Sequence, residues 1–250
     1  MHRNHFKLLR YVFKRFSLLA AWRTALPTAI HYIAPRPLPA SDKPALFTMN
    51  ILPPMMTVWH HLAKKHLGDR VDITVFDCSG RLHASDFSGA RVQKFVNVYA
   101  ATKSEEFLRK IARERAIGWI CDDDMFFLDS SAVDIVKREL AVPNTALVSL
   151  RPRTWWQLEV QGKKSNPVSS YCTAFNRELV FEKENLSLVP GNGNKHLDKN
   201  GNPVGRYDTC DRANEILLER GYRCVIASQE ERDRCITGFA GMSGAVMLLW

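Results

Sequence analysis

The chain has 250 residues, 46% of them hydrophobic, with 35 basic and 26 acidic side chains and a net charge of +9, enough for one large domain or two small ones around a sizeable core. The positive excess is concentrated: residues 1–40 hold Arg3, Lys7, Arg10, Lys14, Arg15, Arg23 and Arg36 and no acid, whereas the rest of the chain holds 28 basic and 26 acidic residues. A nearly neutral body without zinc-finger spacing, an aromatic RNA-binding signature or a helix-turn-helix argues against a nucleic-acid partner, and six cysteines without short paired spacing argue against a metal or redox framework and for reduced thiols in a cytosolic compartment.

In chain order, the first element expected is a basic amphipathic helix within residues 1–34. Phe6, Leu9, Val12, Phe13, Phe16, Leu19 and Ala20 fall on one helical stripe, opposite Arg3, Lys7, Arg10, Lys14 and Arg15. Its uncharged stretch is too short to span a bilayer and it carries no small-residue cleavage site, so the arm either lies on an anionic membrane surface or packs on its own domain. "APRPLPASDKP" follows as a linker over 35–44, because its prolines cannot continue a helix. From residue 45 to 250 a single catalytic domain is expected.

That domain opens with alternating strand-like and helix-like runs. "ALFTMN" (45–50) predicts a strand, 53–68 a helix with proline at its start, and "VDITVFD" (71–77) a second strand. "KFVNVY" (94–99) predicts a third strand, 104–116 a helix capped by Ser104, and "IGWIC" (117–121) a fourth strand. Successive βα units imply an α/β fold with a mainly parallel sheet flanked by helices, and ligands at the carboxyl ends of its strands. Two strand ends carry acids at that edge: Asp77, and the triplet Asp122, Asp123 and Asp124.

Three adjacent carboxylates repel one another unless solvent, a basic partner or a cation offsets them. In an extended segment Asp122 and Asp124 project to one side and Asp123 to the other, and two hard oxygen donors suit Mg²⁺ or Mn²⁺ with a diphosphate completing the shell. The alternative is an acidic surface turn, with Asp129 and Ser130 capping the helix "SAVDIVKREL".

At these residues the chain resembles the GT-A glycosyltransferases, most nearly the family-two group of inverting nucleotide-sugar enzymes. "VFDCSG" (75–80) stands where that family has an aspartate contacting the nucleotide base, and "CDDD" (121–124) where it has Asp-X-Asp. "SSYCTAFNREL" (169–179) is similar to the strand and helix start on the acceptor side. "YDTCDRANEILLERGYR" (207–223) is similar to the acidic segment and amphipathic helix that carry the base. The resemblance implies transfer of a sugar from a nucleotide-sugar donor to a glycan, lipid-linked or protein acceptor, with inversion. Asp77, Asp122 and Asp123 would meet the donor, Asp122 and Asp124 would hold Mn²⁺ or Mg²⁺, and Asp208 or Asp211 would be the general base. N-capping of the following helix is the competing role for Asp208. No histidine follows His196, so the third metal ligand that some relatives draw from a C-terminal histidine is unassigned.

The remaining candidates are open between two roles. Trp155 and Trp156 either stack on a sugar or base or belong to the core; Arg151 and Arg153 either meet phosphate or lie on the surface. The Gly- and Asn-rich run 190–206 reads as a mobile loop, with His196 a solvated residue in it. "VFDCSGRL" superficially resembles the first motif of haloacid-dehalogenase-type phosphatases, with Asp77 as nucleophile, but Ser79 and Arg81 replace the expected acid and threonine or valine. A catalytically silent domain of the same fold at a membrane is the non-enzymatic alternative. The uncharged run from Cys235 to Trp250 leads to the expectation that the domain closes the chain with no transmembrane region behind it, and that the protein is cytoplasmic, peripheral on the inner face of the membrane.

Overall fold

The computed structural model describes residues 18–50, 53–154, 156–205 and 207–238; the first half of the predicted arm and most of the C-terminal apolar run lie outside these residues. A helix, α1 (Leu18–Ile33), precedes the sheet. The chain then runs β1 (Ala45–Asn50), α2 (Pro53–Leu67), β2 (Asp72–Asp77), β3 (Ala90–Lys94), α3 (Ala100–Glu106), β4 (Ile117–Cys121) and β5 (Met125–Phe127). It continues through α4 (Ser131–Leu140), β6 (Thr145–Ser149), β7 (Gln157–Val160), β8 (Lys163–Ser165), β9 (Cys172–Asn176) and β10 (His196–Leu197). Finally come α5 (Asp211–Glu219), β11 (Arg223–Ile226), α6 (Gln229–Cys235) and β12 (Ile236–Gly238).

Seven strands form the central sheet in the order β11-β6-β9-β4-β1-β2-β3. All run parallel except β9, which pairs antiparallel with both β4 and β6. This is the mainly parallel α/β sheet flanked by helices that the sequence predicts. Successive residues of one strand feed opposite cores: Leu46 and Trp119 join Trp59, Val75 and Phe127 on one face, while Phe47 and Ile120 join Phe76, Phe107 and Phe175 on the other. Both faces are covered, which is why β1 and β4 read as nearly continuous apolar runs.

Four local expectations are corrected. The third strand lies at 90–94, before the apolar run, because "ARVQK" pairs with β2 while "KFVNVY" only begins at its end. The next helix starts at Ala100 rather than at a Ser104 cap; Ser104 sits inside it and its hydroxyl donates to the Ala100 carbonyl at 3.1 Å. That helix continues as a π-helical turn over Phe107–Ile111 and ends before residue 116. The 190–206 run contains β10, which pairs antiparallel with β7, and its His196 is fully buried.

Candidate active site

Parallel strands end on one edge of the sheet, so the last residues of β1, β2 and β4 meet there: Asn50, Asp77 and Cys121, with Asp122 next in the chain. The triplet is not extended. The Met125 amide donates to the Asp122 carbonyl at 3.1 Å and closes a β-turn, and the Asp122 amide donates to the Tyr171 carbonyl at 2.8 Å, so a turn, not alternation, aims the carboxylates. The Asn50 side-chain amide donates to Asp123 Oδ2 at 3.2 Å, drawing Asp123 towards β1. Gly238 of β12 packs against this turn: a Cβ there would lie 2.8 Å from the Asp124 carbonyl oxygen and would also meet the Met125 sulfur. A narrow cleft of about 20 Å³ opens beside the turn, lined among others by Met49, Ala100, Ser104, Asp122, Ser170 and Thr209.

Asp122 sits among like charges. Burial pushes its carboxyl well above the usual carboxylate range, Asp124, Asp123 and Asp208 push it further, and Arg153 opposes them. Arg153 is 1% exposed and stands beneath this group. Its Nη1 donates to Asp208 Oδ2 at 3.3 Å and to Asp211 Oδ2 at 3.5 Å, and its guanidinium lies 4.6 Å from the centre of the Trp156 ring and 5.9 Å from that of Tyr171. A buried guanidinium flanked by aromatic faces and carboxylates is a central element of the site; the sequence left Arg153 open to a surface role, and Trp156 meets it instead of solvent. Trp155 lies outside the described residues.

The two base candidates separate by exposure. The Asp208 side chain is 52% exposed, whereas Asp211 is fully buried. Asp208 does not cap α5: the residue at the N-cap is Cys210, left-handed with φ 72°, and Asp208 Oδ1 instead accepts from the Thr209 amide at 2.7 Å. Asp211 Oδ2 accepts from the Asp208 amide at 2.7 Å, so the buried acid holds the backbone of the exposed one. Burial raises Asp211 to about 6, with Arg153 as the main opposing influence.

Behind Asp211 lies a network that only the fold discloses. His196 Nε2 stands 3.6 Å from Asp211 Oδ1, and its Nδ1 lies 3.0 Å from Glu215 Oε1. Glu215 also accepts from the Tyr207 hydroxyl, from the Lys195 amide at 2.7 Å and from Arg212 at 2.8 Å. Burial alone would raise Glu215, but the hydrogen bonds from His196, Tyr207 and Arg212 outweigh it and hold the carboxyl at about 2. The Tyr207 hydroxyl is pushed up to about 12 by burial and by Glu215. His196 is therefore a buried strut joining the 190–206 segment to α5, in place of the solvated residue expected.

Asp77 is also fully buried. Its Oδ1 accepts from the Ser79 amide (3.0 Å), the Ser79 hydroxyl (2.6 Å) and the Gly80 amide (2.9 Å), and its Oδ2 accepts from the Leu82 amide (3.0 Å). Its carboxylate shapes the 79–82 loop at the sheet edge. Nearby, the fully buried Lys103 donates to Asn97 Oδ1 at 2.8 Å and reaches Cys78 Sγ at 3.5 Å; burial lowers its pKa, and Asp123 partly offsets that. No sequence motif marks Lys103, since it lies inside a helix read as starting one residue later.

Asp122 and Asp124 supply hard oxygen donors where extra positive charge would relieve crowding, so they fit Mg²⁺ or Mn²⁺. Among the described residues no group of three or more His, Cys, Asp or Glu side chains is arranged to enclose a metal, so an ion here would take its remaining ligands from water and substrate. Among the same residues no helix is long and apolar enough to cross a membrane.

No protein-family model matches the chain, and no curated protein sequence matches it. Solved structures do. The mannosyltransferase PcManGT from Pyrobaculum calidifontis, solved with GDP-Man and Mn²⁺, is 14% identical with a TM-score of 0.49 over 85% of this chain. A 4-diphosphocytidyl-2C-methyl-D-erythritol synthase from Anaerococcus prevotii is 8% identical with a TM-score of 0.45, covering 77% of this chain and 95% of its own. A CMP:2-keto-3-deoxy-manno-octonic acid synthetase bound to CTP is 12% identical with a TM-score of 0.44, covering 83% and 98%. The match to the mannosyltransferase takes in 65% of that protein, so this chain spans slightly under two thirds of its length.

Proposed function

We propose that the chain is a metal-assisted glycosyltransferase that moves a sugar from a nucleotide-sugar donor to an acceptor hydroxyl. The observation that carries this reading is the convergence of Asp122, Asp124 and the half-exposed Asp208, from two distant segments, around the buried Arg153. A departing nucleoside diphosphate needs its developing charge balanced, which a divalent ion held by Asp122 and Asp124 supplies when bound. Asp208 accepts the proton of the attacking hydroxyl, and the Asp211 contact to its backbone amide fixes where its carboxylate sits. Arg153 donates to Asp208 Oδ2 and offsets the crowded acids before donor arrives. Inversion at the sugar carbon, and the family-two assignment, rest on the sequence resemblance.

The phosphatase alternative needs Asp77 as an exposed nucleophile, and its buried carboxylate with both oxygens hydrogen-bonded speaks against that. The test is release of nucleoside diphosphate from UDP- and GDP-sugars with Mn²⁺. Asp208→Asn is expected to keep nucleotide affinity while turnover falls by a factor of roughly 10² or more. Near-normal turnover in Asp208→Asn overturns the base assignment. Nucleotide binding without any release in the wild-type protein, across donors and acceptors, would make the domain a silent binding module.

A further inference from the structure

Helix α1 is inside out over residues 22–33. Its buried stripe is polar: Thr24, Thr28 and His31, spaced four and three residues apart, face the domain. Thr28 Oγ1 donates to the Thr24 carbonyl (2.7 Å) and accepts from the Val96 amide (2.8 Å), and His31 Nε2 meets Glu106 Oε2 at 3.1 Å with its ring 5.3 Å from that of Phe95. The opposite stripe is apolar and faces water: Trp22, Leu26, Ile30 and Ile33 are 77%, 63%, 47% and 84% exposed. A helix that served only to cover the sheet would carry the reverse pattern, and an apolar stripe left in water marks a surface that is covered by something else.

The surroundings of the stripe indicate what covers it. Between α1 and the edge strand β3 runs a groove of about 450 Å³, lined among others by Leu26, Ile30, Val92, Arg36, Arg91 and Lys94. Arg91 Nη1 donates to the Arg36 carbonyl at 2.5 Å, which holds two guanidinium-bearing segments side by side at the groove's mouth. Glu106, the acid beneath the helix, is taken up by Lys110 at 2.6 Å and by His31. Residues 1–40 hold seven cations and no acid. Two copies of this face packed back to back would bring like charges together, because a two-fold interface presents each patch to itself. An anionic lipid surface accepts both parts, the apolar side chains between its acyl chains and the cations among its headgroups.

We infer that α1 and the Arg36, Arg91 and Lys94 rim of its groove form a docking surface for a bilayer containing anionic phospholipid, holding the catalytic domain against the membrane. The stripe enters the headgroup region and the rim cations pair with lipid phosphates. None of the groove's described lining residues belongs to the acidic turn, although Lys94 stands in register with Asp77 at the carboxyl end of the sheet, and the proposal stands whether or not the domain transfers sugars.

The test is co-sedimentation of the full chain with phosphatidylcholine vesicles, with and without phosphatidylserine, at low and physiological salt. Binding is expected only with phosphatidylserine, and weaker at the higher salt. The double variant Leu26→Ser/Ile30→Ser is expected to lower affinity by at least about tenfold, and Lys94→Glu by about fivefold or more. Trp22 fluorescence should be quenched by brominated acyl chains, and that quenching should disappear in Trp22→Ser, a second exposed-site variant. Circular dichroism checks that the variants are folded. Equal pelleting of wild type and both apolar variants overturns the proposal. So does a wild-type chain that is dimeric in solution, fails to pellet, and becomes monomeric in Leu26→Ser/Ile30→Ser, which would assign the stripe to a second copy.

Discussion

Asp211→Asn separates the buried carboxylate from the exposed one and gives a stability change with a definite pH dependence. His196 bridges the two buried acids, with Nδ1 3.0 Å from Glu215 Oε1 and Nε2 3.6 Å from Asp211 Oδ1. Burial raises the Asp211 carboxyl to about 6 from an ordinary 3.8, against the opposing pull of Arg153, the Asp208 amide and His196. A group raised on folding disfavours the native state once the unfolded chain ionises. The penalty is absent below about pH 4, grows between pH 4 and 6, and is full above 6. Its size is about 3 kcal/mol, from roughly two pKa units at 1.36 kcal/mol each. Asparagine keeps an oxygen for the Asp208 amide and does not ionise, so the mutant lacks this pH-dependent penalty. Urea melts of wild type and Asp211→Asn from pH 4 to 8 should therefore show the mutant gaining on the wild type by about 3 kcal/mol across that range. A stability difference that does not change with pH, or a wild type that gains on the mutant above pH 6, would refute the account of the network.

Other expectations follow from the triplet turn. Asp124→Ala should abolish Mn²⁺-dependent binding of UDP or GDP in calorimetric titration while the fold survives, because one of several crowded acids is removed; unchanged affinity would mean the triplet does not hold the metal. Gly238→Ala should lower the thermal midpoint by several degrees and weaken nucleotide binding together, since its Cβ would meet the Asp124 carbonyl and the Met125 sulfur. A wild-type melting curve for that variant would show the β12 strand to be loosely placed.

The βα alternation was readable because strands buried on both faces must be apolar throughout and helices between them must not be. β1, β2 and β4 accordingly lie where the sequence put them. β3 did not, because an edge strand under a helix tolerates "ARVQK", and in the "FVNVY" that follows Phe95 enters the core while Val98 and Tyr99 are exposed. The acids of the site were visible as residues but not in their arrangement. The turn at Asp122 depends on the Tyr171 carbonyl, and the division of labour between Asp208 and Asp211 depends on Arg153, partners 49 and 55 residues away in the chain. Local pattern carries no record of such pairings. His196 and Lys103 were missed for the same reason: a polar residue reads as exposed until its buried partner is known.

The reversed strand β9 has a consequence for synthesis on the ribosome. β3, β2, β1 and β4 can pair as soon as residue 121 has emerged, but β6 touches none of them, and residues 172–176 must slot between β4 and β6 before the sheet is continuous. Until then the nascent chain carries an open β4 edge, its amides and carbonyls unpaired beside two buried-face apolar surfaces, which is the kind of edge that recruits foreign strands. The acidic turn is late for the same reason, since Tyr171 anchors it from the start of β9. Chaperone capture should thus be strongest on stalled chains in which residue 121 has cleared the exit tunnel and residues 172–176 have not, and should fall once β9 emerges.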